Sequence, residues 1–174
     1  MPKETSNYPA VYRQSRDYAR EHGEIAQCRD SFRQNIACKK AIEASVQEHF
    51  DGMHLSDDAL KPVLEQFGAE RTAYVLANTI QEKSWDGRFT HKNKEWAAAI
   101  PVAPNMAFGE NRNYEFVVDS HPAILDGFVS MFRKELQKQQ TKGRDSVLAQ
   151  LSTLKGTTPA SMKENGKVHR EEAR

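Results

Sequence analysis

The chain is poor in the features that commit a protein to special chemistry. It carries two cysteines, Cys28 and Cys38, in 174 residues, so no disulfide framework defines it. On one helix their ten-residue separation spans roughly 15 Å, too far to bridge. They read as small buried apolar residues in a reducing compartment. No apolar run is long enough to span a membrane. The amino-terminal MPKETSNYPAVYRQ lacks the apolar core of a signal peptide, and a cytoplasmic location is expected. The formal net charge is only +1, which argues against a wholesale acidic mimic of DNA. No glycine-rich stretch ends in Gly-Lys-Ser/Thr, and no two histidines flank a glutamate at zinc-protease spacing. Those absences exclude the common nucleotide loop and the zinc-protease helix.

What is present suits one folded domain. Hydrophobic residues make up 38% and charged residues 28%, enough to build a core at this length. Residues 1–7 read as a loose start, 8–155 as a single helical domain and 156–174 as a polar, disordered tail. Tyr8 to Glu21 predicts a helix stopped by Gly23. Glu24 to His49 predicts a long helix, with Ile25, Cys28, Phe32, Ile36, Ile42 and Val46 on one face. Asp51-Gly52 breaks it. Ser56 caps the next helix, with Asp57 and Asp58 in its first turn. Pro62 belongs near a first turn, and Gly68 closes the segment.

Ala69 to Lys83 predicts the clearest helix, with Ala73, Leu76, Ala77 and Ile80 facing one way. Asp86-Gly87 turns the chain, and Thr90 caps a helix carrying Trp96. Tyr114 to Val118 is the single strand candidate, pairing with Ile100–Val102 or with a second chain. Ser120-His121-Pro122 starts a helix through Ile124, Leu125, Phe128, Val129, Phe132 and Leu136. Gly143 interrupts it before Val147, Leu148, Leu151 and Leu154. The expected fold class is mainly α: a compact helical domain with at most one small strand pair and a disordered C-terminal tail.

Charge is unevenly placed. Ala41 to Glu70 holds seven acids against Lys61, and Arg133 to Arg144 holds five bases against Glu135. Either is a solvated helix face or a steering surface for a charged partner. Lys134, Lys138 and Lys142 recur every four residues and would line one helix face, able to meet phosphates. Arg133 and Arg144 would widen that stripe. No aromatics interleave with these bases, so stacking on single strands is not indicated there.

No residue set carries catalysis. His49, Asp51 and His54 in HFDGMH supply few metal ligands, and a solvated turn explains them better. Asp119-Ser120-His121 lacks triad geometry, since neighbouring Ser and His side chains do not meet. Helix capping by Asp119 or Ser120 accounts for it. Cys38 and His49 lie about 16 Å apart on a helix. The turn SWDGRF is more informative. Trp85 and Phe89 bracket Asp86 and Arg88: either an exposed aromatic beside an arginine anchors a partner, or the aromatics fill the core while Asp86 and Arg88 tie the turn. The partner-binding candidates are thus Trp85, Asp86, Arg88, Lys134, Lys138 and Lys142. No catalytic residue, metal or cofactor is expected.

Three stretches carry a resemblance: EIAQCRDSFRQNIACKKAIE (Glu24–Glu43), FGAERTAYVLANTIQEKSWDGRFTHKNKEWA (Phe67–Ala97) and SHPAILDGF (Ser120–Phe128). Together they resemble a family of uncharacterised domains encoded on conjugative elements and phages of gut bacteria, over roughly residues 8–135. That family has no assigned catalytic residues to carry over. Its short free-standing members are similar in size and context to anti-CRISPR proteins. The resemblance implies a non-catalytic anti-CRISPR inhibitor that binds Cas9 or its guide-RNA complex and blocks target DNA binding or cleavage, two separable steps. The alternative is an accessory DNA- or protein-binding module of a conjugative element or phage. A homodimer through the alanine-bearing helix or the lone strand stays open at this stage, as does contact with a nucleic-acid backbone.

Overall fold

The computed structural model describes residues 8–171, with side chains through Ser152. The chain forms two compact units, one ending at Arg133 and one starting at Lys134. The first unit is helical. Its elements are α1 (Arg16–Glu21), α2 (Ile25–His49), α3 (Leu60–Glu82), α4 (His91–Ala98) and the start of α5 (Pro122–Glu171), with a two-residue hairpin, β1 (Met106–Ala107) and β2 (Glu110–Asn111). The mainly α expectation with one small strand pair holds.

Local signals set most boundaries. Ser15 caps α1, its hydroxyl accepting from Tyr18 N at 3.2 Å, so α1 is shorter than the Tyr8–Glu21 helix expected. The segment before it forms no helix. Gly23 leaves α1 with φ +68°, a conformation glycine adopts without cost. The Asp51 carboxylate closes the next turn by accepting from Met53 N and His54 N at 2.8 and 2.7 Å. Ser56 caps the 3-10 turn Asp57–Ala59, and Pro62 falls in the first turn of α3, where no helical donor is lost. Gly68, at φ +79° and ψ 167°, kinks α3.

The core departs from the simple apolar stripe on α2. Its buried face is Ser31, Asn35, Cys38, Ile42, Ser45 and Val46, while Ile25, Cys28, Phe32 and Ile36 are only half-buried. The cause is Arg71, which lies inside the protein at 1% exposure. Its guanidinium donates to Ser31 O, Ser31 Oγ and Asn35 Oδ1 at 2.9, 3.2 and 2.5 Å, and to the carbonyls of Pro9 and Ala10 at 3.0 and 3.1 Å. A buried cation needs acceptors, so the facing turn of α2 is polar. Burial holds the Arg71 pKa below its ordinary value. The α3 segment beyond it is buried all round from Tyr74 to Ile80, as suits a central helix.

A second polar cluster fixes α4 against the first turns of α5. The Asp126 carboxylate accepts from Thr90 N, Thr90 Oγ1 and Asn93 Nδ2 at 2.9, 3.2 and 2.7 Å. Thr90 is the N-cap residue of α4, but its hydroxyl serves Asp126 rather than the helix backbone. Arg133 donates to Asn93 Oδ1 at 3.0 Å and is half-buried, so it does not widen a lysine stripe. Leu125, Phe128, Val129 and Phe132 are fully buried, and the Phe132 ring meets Trp96 edge-on.

The expected strand at Tyr114–Val118 is absent. Arg112–Phe116 is a 3-10 turn capped by Asn111, and Val117 follows in extended form. Tertiary anchors override the β-rich composition: Asn78 Nδ2 donates to Asn113 O at 3.1 Å and Val118 N donates to Thr79 Oγ1 at 3.0 Å. Ile100–Val102 is not its partner; the strand pair is Met106–Ala107 with Glu110–Asn111. A dimer through that strand loses its structural basis.

In the second unit the chain stays helical through Gly143. An interior glycine costs a helix only about 1 kcal/mol, which helix-favouring neighbours offset. The expected loose tail, 156–174, lies where side chains are outside the described residues, and residues 1–7 lie wholly outside them. Among the described residues no helix is long and apolar enough to cross a membrane.

Candidate functional site

Four arginines from three separate elements converge on one cleft of the first unit. Arg16 opens α1, Arg29 and Arg33 lie one turn apart on α2, and Arg112 opens the turn after the hairpin. With Cys28, Phe32 and Asn105 they line a volume of about 140 Å³, several times the ~30 Å³ share of a water molecule. No carboxylate lines it.

The sequence builds this cleft locally. Ser15 starts α1 so that Arg16 sits in its first turn. The i, i+4 spacing of Arg29 and Arg33 puts both on one face of α2. Arg112 N donates to Asn105 O at 2.8 Å, which closes the hairpin base and brings Arg112 and Asn105 to the same wall.

The electrostatics are unbalanced. Among the described residues no salt bridge involves Arg16, Arg29 or Arg33. Arg112 meets Glu115 at 3.7 Å on the surface, a pair that solvent screens to little. Two buried polar atoms here have no hydrogen-bond partner: Arg16 Nε and Asn105 Oδ1. The first is a donor and the second an acceptor. Grouped cations with a spare donor suit an anion such as phosphate, whose oxygens match the guanidinium fork. The Cys28 thiol is pushed up by burial, an effect the neighbouring Arg16 and Arg29 only partly oppose. It stays protonated near neutral pH and is no ready nucleophile.

The residues singled out in the sequence fall elsewhere. SWDGRF divides its roles: Phe89 is buried, Asp86 is buried, and Trp85 stands 78% exposed. Arg88 donates to Asp86 through its backbone N, Nε and Nη2 at 3.0, 3.0 and 2.8 Å. Those bonds from Arg88 hold the Asp86 carboxyl down at about 2. Asp86 and Arg88 therefore tie the turn, and only Trp85 faces solvent as an anchor would. Lys134, Lys138 and Lys142 are exposed on one face of α5 in the second unit, as their spacing predicts.

The other candidates resolve structurally. His121 Nδ1 accepts from Ala123 N at 3.2 Å, so it is His121, rather than Asp119 or Ser120, that caps α5. His49 Nδ1 bonds its own helix at Ser45 O, and Asp51 is occupied by its turn. Among the described residues no group of three or more His, Cys, Asp or Glu is placed to hold a metal ion.

A family model described as a protein of unknown function, DUF3849, matches residues 11–137, well over half of the chain. The chain belongs to the DUF3849 family. The DUF3849 stretch contains all four cleft arginines, Trp85, Asp86, Arg88 and Lys134, whereas Lys138 and Lys142 lie beyond it. No curated protein and no solved structure matches the chain.

Sequence reasoning missed the cleft because its arginines are scattered from residue 16 to residue 112. The local hint was Arg29 with Arg33 at helical spacing. What no pattern supplies is the packing of the turn Arg112–Phe116 against α2, which brings Arg112 to the cleft.

Proposed function

We propose that this DUF3849 domain is a non-catalytic module that binds the phosphate backbone of a nucleic acid through the cleft of Arg16, Arg29, Arg33 and Arg112. The observation that carries this reading is the convergence of four arginines on a cleft without a carboxylate. Phosphate contacts of this kind position a partner without reading its sequence. The exposed Lys134, Lys138 and Lys142 of the second unit are a separate candidate contact for phosphates.

The partner is either naked nucleic acid or a ribonucleoprotein. A Cas9–guide complex is the second kind, and the acidic residues of the 41–70 region favour it. Glu48, Asp51, Asp57, Asp58, Glu65 and Glu70 are all exposed, so the domain offers acids to basic protein channels and arginines to guide phosphates. In that version the protein is an anti-CRISPR inhibitor blocking target binding or the later change that licenses cleavage. In the other it is an accessory module of a conjugative element or phage.

Two assays separate them. Purified protein is titrated into a labelled oligonucleotide, and separately into preassembled Cas9–guide complex before cleavage of a matched plasmid. Salt-sensitive oligonucleotide binding with undisturbed cleavage supports the accessory module. Loss of cleavage near stoichiometric ratio supports the inhibitor. Absence of both, across several Cas9 orthologues, would remove the phosphate-binding reading.

A further inference from the structure

The hairpin beside the cleft ends in an unusual residue. Phe108 occupies the first position of the β1–β2 turn with φ +55°, followed by Gly109 at +81°. A left-handed backbone at a bulky side chain is strained, and asparagine, aspartate or glycine normally fills that position. The side chain gains nothing from the core: Phe108 is 96% exposed. Its ring lies against the Arg112 guanidinium, 5.9 Å from the ring centroid. Arg112 is also a wall of the arginine cleft. One residue therefore touches both the phosphate-binding cleft and an exposed aromatic face held at its rim.

We propose that Phe108 is a stacking platform for an unpaired base, so that the module's ligand is single-stranded nucleic acid. This rests on the phosphate-binding reading of the cleft. Base and phosphate of a nucleotide are joined through one sugar, and Arg112 links the two sites that would receive them. Stacking on an aromatic ring needs a base whose face is free, as in single strands and loops. In a duplex the neighbouring base pairs occupy those faces. An acidic peptide such as poly-glutamate would use the arginines but has no aromatic group to stack on the ring.

The test is fluorescence anisotropy with a labelled dodecamer of thymidylate, the same length of abasic backbone, a duplex of equal length and a poly-glutamate peptide. The wild-type chain should bind the thymidylate strand about tenfold more tightly than the abasic strand, given the usual strength of base–aromatic stacking. Phe108→Ala should abolish that preference and leave abasic binding unchanged, whereas Phe108→Trp should keep it. Arg29→Glu with Arg33→Glu should lose all four ligands. The tip is fully exposed, so matched melting curves confirm that the Phe108 variants fold. Equal binding of thymidylate and abasic strands, with Phe108→Ala indistinguishable from wild type, would overturn the stacking role while leaving the cleft reading intact. Poly-glutamate binding as tight as thymidylate would overturn it in favour of an acidic protein partner. Failure of the wild-type chain to bind any of the four would instead sink the cleft reading beneath it.

Discussion

Replacing Arg71 by methionine should destabilise the first unit by about 3 kcal/mol. The guanidinium makes five hydrogen bonds, yet they do not count equally. The Pro9 and Ala10 residues are exposed, so water can replace their two bonds. Ser31 Oγ keeps the Tyr12 N donor at 2.9 Å. Asn35 Oδ1, on a residue 4% exposed, is left orphaned, at about 1–3 kcal/mol. Relief of the buried charge offsets part of the loss, since burial already lowers the Arg71 pKa. A hydrogen bond to a charged group contributes about 1.5–3 kcal/mol, and with Asn35 orphaned the net loss falls at the upper end of that range. With a denaturant slope of about 2 kcal/mol/M, the urea midpoint should fall by about 1.5 M. Hydrogen exchange adds a local readout: the Tyr12 amide should lose protection first, because Arg71 pins residues 9 and 10 beside it. A midpoint shift under about 0.3 M, with Tyr12 protection intact, would refute the assignment of Arg71 as the tether.

Other outcomes follow from particular contacts. A Cβ added at Gly68 would lie 2.8 Å from Tyr8 Cδ2 at φ +79°, so Gly68→Ala should cost about 1–3 kcal/mol, read as a lowered melting temperature. Asp86 is held at about 2 against an ordinary 3.8; its contribution is complete above about pH 4 and is lost as pH falls from 4 towards 2. The stability gap between wild type and Asp86→Asn should therefore close over that interval, and a gap constant from pH 7 to 2 would contradict the ion pair with Arg88. Lys134→Glu, Lys138→Glu and Lys142→Glu together should leave the melting temperature unchanged because all three are exposed. Unchanged nucleic-acid affinity across a salt series would remove the stripe from the binding surface.

Much of the helix inventory was legible because its signals are local. Gly23, Asp51, Ser56, Gly68 and Asp86 act within a turn of themselves, and each appears where its chemistry requires. The errors arise where a distant residue sets the outcome. Arg71 is forty positions from Ser31, so its polar seat on α2 breaks the apolar stripe that periodicity predicts. Tyr114–Val118 has strand composition, but Asn78 and Thr79 of α3 hold it as a 3-10 turn and an extended link. The same limit hid the cleft. Arg29 and Arg33 announce a charged helix face, while Arg16 and Arg112 join it only through the fold. The SWDGRF turn was half-legible: its spacing implies a tied turn, but only packing decides that Phe89 goes in and Trp85 stays out.

The proposed function rests on phosphate binding by Arg16, Arg29, Arg33 and Arg112. The most direct test is the salt dependence of single-strand binding by the wild-type chain and by Arg29→Ala with Arg33→Ala. Each phosphate contact on a single strand contributes about 0.7 to the slope of log affinity against log salt. The double variant should bind more weakly and lose about 1.4 from that slope. An unchanged affinity and slope would show that phosphates do not occupy the cleft, and would contradict the account.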